Sequence, residues 1–134
     1  MIITIIIGII AAIISVWIIR QVSPKREHDF WRFGLIVAAL IYVGFSVFGQ
    51  AWEYLPMELG GVLIYSAFAF LSKKHTQYWL ALGWLLHVSW DIFLPIHQHA
   101  EFVPSWYPGV CLGFDIVIAV YIFKTYRSKR IEMA

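Results

Sequence analysis

QYWLALGWLLHVSWDIFLP, residues 77–95, reads as a membrane-spanning helix with an ionisable pair in its interior. His87 and Asp91 are four residues apart, so a helix puts them on one face, one turn from each other. Hydrocarbon penalises such groups: a charge at mid-bilayer costs roughly 2.5–3.5 kcal/mol on insertion scales. The stretch therefore carries two messages. The chain is built for a membrane, and something inside it receives a histidine and an aspartate.

The composition agrees. Of 134 residues, 61% are hydrophobic and 13% charged, the latter about half the usual share for soluble domains. Five apolar segments, about 2–19, 31–52, 58–72, 77–94 and 107–124, predict an all-α bundle of five transmembrane helices forming one domain over residues 1–134. The third and fourth are short for a hydrocarbon core of about 30 Å. Brief connections make successive helices antiparallel neighbours. A single cysteine, Cys111, excludes an intrachain disulfide and any CxxC redox or zinc-ribbon site.

Lys and Arg set the orientation. Arg20, Lys25, Arg26 and Arg32 flank the first loop, Lys73 and Lys74 the third, and Lys124, Arg127, Lys129 and Arg130 follow the last span. All ten fall on one side, so the N-terminus is expected outside and the C-terminus in the cytoplasm. The first segment lacks a basic leader and a small-residue cleavage site, and it reads as a retained span packed at the periphery. The basic KTYRSKR near the end is a topology anchor beside anionic lipid, with no nucleic-acid signal.

Acidic residues gather towards the other side: Glu53, Glu58, Asp91, Glu101 and Asp115, with His87, His97 and His99. Helix rise puts His87, Asp91 and Asp115 at similar depth on neighbouring antiparallel helices. In span two, Tyr42, Ser46, Gly49, Gln50 and Glu53 recur at helical spacing as one small-and-polar face. Tyr65 in span three, and Gly83, Trp84, Trp90 and Leu94 near His87, complete a set of aromatic walls. Behind Asp115, Gly109 and Gly113 form a GxxxG that admits another helix closely. The simplest packing is spans two to five around an outward-opening pocket.

Each feature has a plainer reading as well. His87 with Asp91 would serve as an interhelical hydrogen-bonding pair, Asp115 as a partner for a Tyr or Trp, and the Tyr42/Ser46/Gln50 stripe as packing. Glu53 and Glu58 would then be solvated helix ends. HQHAE, residues 97–101, would be an ordinary exposed loop and Cys111 a packing residue. Ionisable groups inside a membrane nonetheless default to function.

GWLLHVSWDIF and GFDIVIAVYIF, within residues 59–124, resemble a family of small bacterial multi-span membrane proteins defined as a domain of unknown function. That resemblance implies a location in a bacterial cytoplasmic membrane and no established activity. A looser analogy is to sterol isomerases of the emopamil-binding type. Their five-span fold sets a His-x-x-x-Glu and a further acid in a Trp-lined cavity. By that analogy His87, Asp91 and either Asp115 or Glu53 would take the corresponding parts, with Asp in place of Glu.

Three functions follow as expectations. The first is acid–base isomerisation or cyclisation of an apolar lipid or isoprenoid entering from the outer leaflet. His87, Asp91, Asp115 and Glu53 would be catalytic, and Trp84, Trp90, Tyr65, Tyr42, Ser46 and Gln50 would line the substrate. Which of Asp91, Asp115 and Glu53 carries the proton stays open. The second is lipid hydrolysis with zinc or another divalent metal held by His87, Asp91, Asp115 and His97 or His99. The third is binding or transport of a metal, a proton or a lipid. Haem is not expected, because only His87 lies clearly within a span. A five-span protomer is small for a closed cavity, which leaves a homodimer open.

Overall fold

The structure is a computed structural model describing residues 2–93 and 102–133, with side chains described as far as Tyr126. Five α-helices carry the described residues: α1 (Ile2–Ile19), α2 (Pro24–Phe48), α3 (Leu55–Lys74), α4 (Tyr78–Ile92) and α5 (Tyr107–Met133). A one-turn 3-10 helix, Trp52–Tyr54, leads into α3. The all-α bundle stands. The chain reads as a membrane protein, because four of its helical segments are long and apolar enough to cross a bilayer. The fourth helix is shorter: its 15 residues cover about 22 Å at 1.5 Å each.

α3 starts at Leu55 and α5 runs on to Met133, both beyond the apolar segments, and the two boundaries of α2 depart from the hydropathy reading for local reasons. α2 begins at Pro24, not near residue 31, because Ser23 caps it: its side-chain oxygen accepts from the Arg26 amide at 3.5 Å. Proline at the first helical position loses no hydrogen bond there, and Glu27 in the first turn suits the helix dipole. The charged run 25–29 is thus helical although it is not apolar.

α2 also ends early, at Phe48 rather than near residue 52. The Ala51 amide donates to the Ser46 carbonyl at 2.8 Å and the Gln50 amide to the Val47 carbonyl at 3.2 Å. That pair of bonds is a Schellman stop, with Gln50 in the left-handed region at φ 54° where glycine is usual. The glycine one position earlier answers a different need. A Cβ on Gly49 would stand 2.7 Å from the Phe102 Cβ.

α5 is the hub. It packs on α1 along one side and on α4 along another; α4 packs on α3, and α3 on α2. The α1–α5 contact is backbone to backbone. A Cβ on Gly8 would collide with the Val110 carbonyl, and one on Gly113 with the Ile5 carbonyl. Gly113 of the expected GxxxG therefore receives α1, and α1 turns Ile3, Ile6, Ile10, Ile13 and Trp17 outward.

Trp31, Leu35, Leu80, Trp84, Ile118 and Ile122 form the main core among α2, α4 and α5. At the basic end, Arg32 ties α2 to α3 by donating to Ser72 Oγ at 2.9 Å, and it pairs with Asp29 at 2.7 Å. The Tyr121 hydroxyl of α5 donates to Glu27 of α2.

Candidate functional site

Towards the far end from those basic groups, three helices bring ionisable side chains together. α4 presents His87 and Asp91 on one face, and α5 presents Asp115 across the seam. All three are fully buried, with His87 at 0% exposure. His87 Nδ1 lies 2.7 Å from Asp115 Oδ2, a hydrogen bond. With the carboxylate as acceptor, Nδ1 carries the hydrogen and Nε2 becomes the open ring nitrogen. Nε2 has no hydrogen-bond partner among the described residues.

Asp91 is held from a third helix. The Tyr42 hydroxyl of α2 donates to its Oδ1 at 2.5 Å. Its Oδ2 lies 3.6 Å from His87 Nδ1, within ion-pair reach but too long for a hydrogen bond, and is otherwise unpartnered. Donor atoms of His87, Asp91 and Asp115 all fall within 4.8 Å of one another.

The walls are aromatic. Tyr65 of α3 stands edge-on to the imidazole at 5.0 Å between ring centroids, fixed by its hydroxyl donating to the Leu86 carbonyl at 3.1 Å. Trp90 lies against Tyr65 at 6.2 Å, over Gly61, where a Cβ would stand 3.0 Å from the indole. Tyr42 meets His87 at 6.0 Å and Tyr107 at 5.5 Å. Cys111, one turn from Asp115, packs against the patch formed by Tyr42, Val103 and Tyr107.

Other residues read as site candidates sit elsewhere. Trp84 is a turn deeper, edge-on to Trp31 at 6.3 Å and beside Phe114, within the main core. The polar stripe of span two breaks after Ser46, because the helix ends at Phe48 before the next turn; Gln50 and Glu53 are exposed. Ser46 instead donates to Glu58, which is 1% exposed in the first turn of α3. His97 and His99 lie outside the described residues.

Glu58, which the sequence leaves open between a pocket acid and a solvated helix end, is a buried acid. One contributor is not legible there. Tyr107 was not singled out, although 107, 111 and 115 recur at helical spacing on one face of α5.

A small helical membrane protein with a buried His/Asp/Asp cluster is the class that fold and site define. The chain belongs to the family of unknown function DUF6010, whose match runs over residues 3–128 and so takes in α1 to α4 and the spanning part of α5. No curated protein and no solved structure matches it.

Proposed function

We propose that the chain is an intramembrane enzyme that isomerises or cyclises an apolar lipid or isoprenoid by acid–base chemistry. The observation carrying this reading is His87: buried on all sides, bonded through Nδ1 to Asp115, and open at Nε2. A carboxylate on one ring nitrogen fixes the tautomer and the ring plane and leaves the other nitrogen to exchange a proton. Asp115 is the orienting residue in this scheme. Asp91, held at one oxygen by Tyr42, is the acid.

Protonated Asp91 gives its proton to an alkene carbon, whose π pair forms the new C–H bond, or to an epoxide oxygen, whose C–O bond breaks. The resulting cation is stabilised by the faces of Tyr65 and Trp90, and His87 Nε2 removes a proton from a neighbouring carbon. Substrate loses as many protons as it gains, and the proton left on His87 returns to Asp91 before the next turnover, so no co-reactant is consumed. The analogy with emopamil-type sterol isomerases supports the same division of labour. That every Lys and Arg lies towards the opposite end supports a site near the outer leaflet, and the resemblance to small bacterial membrane proteins supports a bacterial cytoplasmic membrane.

The test is a comparison of membrane lipids from cells making the wild type, His87→Asn or Asp115→Asn, with the lipid retained by each purified protein identified by mass spectrometry. The expected result is an isoprenoid or lipid isomer present only with the wild type. Identical lipid profiles from all three folded proteins end this reading.

One observation favours a second reading. A histidine and two carboxylates with donor atoms within 4.8 Å suit a zinc ion with an open fourth position, and the Tyr42 bond to Asp91 is the kind of outer support such ligands receive. A bound zinc would lower the pKa of a coordinated water for ester or amide hydrolysis. Elemental analysis decides: substoichiometric zinc, iron and copper in the purified wild type remove it, and zinc lost in Asp115→Asn supports it.

A further inference from the structure

An open groove of about 540 Å³ runs along the outer face of the α4–α5 seam, on the other side of α4 from His87. Its lining recurs at helical spacing. Tyr78, Ala81, Leu82 and Leu85 come from α4; Ala119, Val120, Phe123 and Lys124 come from α5. Two alanines, both buried, make the floor, and Leu82, Leu85, Val120 and Phe123 stand exposed as rims. The trough thus exists because small side chains sit where two spans cross and large ones flank them.

The two ends of the groove differ chemically. Lys124 closes one end, exposed and without an ion-pair partner among the described residues. Beside it Tyr78, the amphipathic ring type found at headgroup depth, lies tilted against Phe123 at 5.3 Å and meets Tyr126 edge to face at 4.6 Å. Among the described residues the lining contains no acid, and the same helix continues into Arg127, Lys129 and Arg130 in sequence. From Tyr78 to Leu85 the groove descends about 10 Å into the apolar part of the bundle. Its inner end, Ala119, is one turn from Asp115.

We infer that this groove binds one anionic phospholipid, with its phosphate on Lys124 and one acyl chain laid between Leu82 and Val120. Charge complementarity selects the occupant. An apolar trough alone would take any lipid, whereas a lone ammonium at headgroup depth beside a basic helix end favours a negative headgroup. The inference stands apart from the proposed chemistry and uses none of its residues.

Native mass spectrometry of the purified full chain, exchanged against phosphatidylglycerol or phosphatidylcholine, tests it. Wild type is expected to retain one phosphatidylglycerol at least several-fold better than phosphatidylcholine. Lys124→Gln should abolish that preference while leaving weak retention of both lipids. Val120→Trp, which fills the groove from an exposed rim position, should reduce retention of both. Circular dichroism confirms that each variant is folded, and Leu82→Trp serves as a second filling variant if Val120→Trp is not. Equal retention of the two lipids by the wild type, or a preference unchanged in Lys124→Gln, overturns the inference.

Discussion

Tyr42 of α2 and Asp91 of α4, 49 positions apart in sequence, meet in a 2.5 Å hydrogen bond within the bundle. The bond fixes one oxygen of the acid and leaves the other towards the imidazole. Tyr42→Phe removes the donor and strands a buried carboxylate oxygen. Stability should fall by about 1–3 kcal/mol, the cost of a buried polar group left unsatisfied. Asp91→Asn keeps an oxygen for Tyr42 and should cost less. Denaturant unfolding in micelles checks the order, and the reverse order would refute the assigned bond.

His87 and Asp115 should behave as one energetic unit. Removing either partner of a buried pair typically costs about 3–5 kcal/mol, because the survivor keeps its desolvation without its partner. In a double-mutant cycle, His87→Ala with Asp115→Ala should be strongly non-additive. The control cycle, His87→Ala with Glu53→Ala, should be additive within about 0.5 kcal/mol, since Glu53 is exposed on the 3-10 turn. Coupling of equal size in both cycles would show that the cluster is not what holds the two helices.

Adjacent positions at the end of α2 should respond in opposite directions. Gln50 has φ 54°, a conformation costing an L-residue roughly 1–2 kcal/mol, so Gln50→Gly should stabilise the fold. Gly49→Ala should destabilise it, because its methyl would press on Phe102. Thermal unfolding of the two variants reads both signs.

The seam between α1 and α5 should be intolerant of bulk on either side. Gly8→Leu or Gly113→Leu pushes a side chain into the opposing backbone and forces the helices apart. Overpacking of this kind costs about 1–3 kcal/mol, and the loop around residues 20–23 should become more accessible to protease. His87 and Asp115 should stay bonded, visible as an unshifted imidazole nitrogen resonance. A shifted resonance would mean that α1 also shapes the site.

How much of this was legible in the sequence depends on how local each cue is. The His87–Asp91 pair is an i, i+4 statement within one helix, and Asp115 was placed at the same depth by counting rise along α5. Both readings need only helix geometry. The stripe from Tyr42 to Glu53 failed at its far end because it assumed a continuous helix. Gly49 followed by Trp52–Pro56 carried the stop and restart, but hydropathy does not register a Schellman turn. The same blindness hid the start of α2, where Ser23–Pro24 is a strong cap signal masked by the charged run after it. Glu53 and Glu58 look alike as letters. Only the turn between them decides that one faces outward and the other meets Ser46.

The backbone seam through Gly8 and Gly113 has a consequence for how the molecule is made. α1 leaves the ribosome before α5, and roughly 100 residues separate them, a delay on the order of 5–20 s at common translation speeds. During that interval the early helix has no docking partner. Its composition suits the wait: no charge, isoleucine on nearly every flank, and a glycine notch that stays vacant until the late helix arrives. Assembly therefore finishes by a long-range closure between early and late segments, and a chain stalled before Tyr107 would leave α1 adrift in the bilayer.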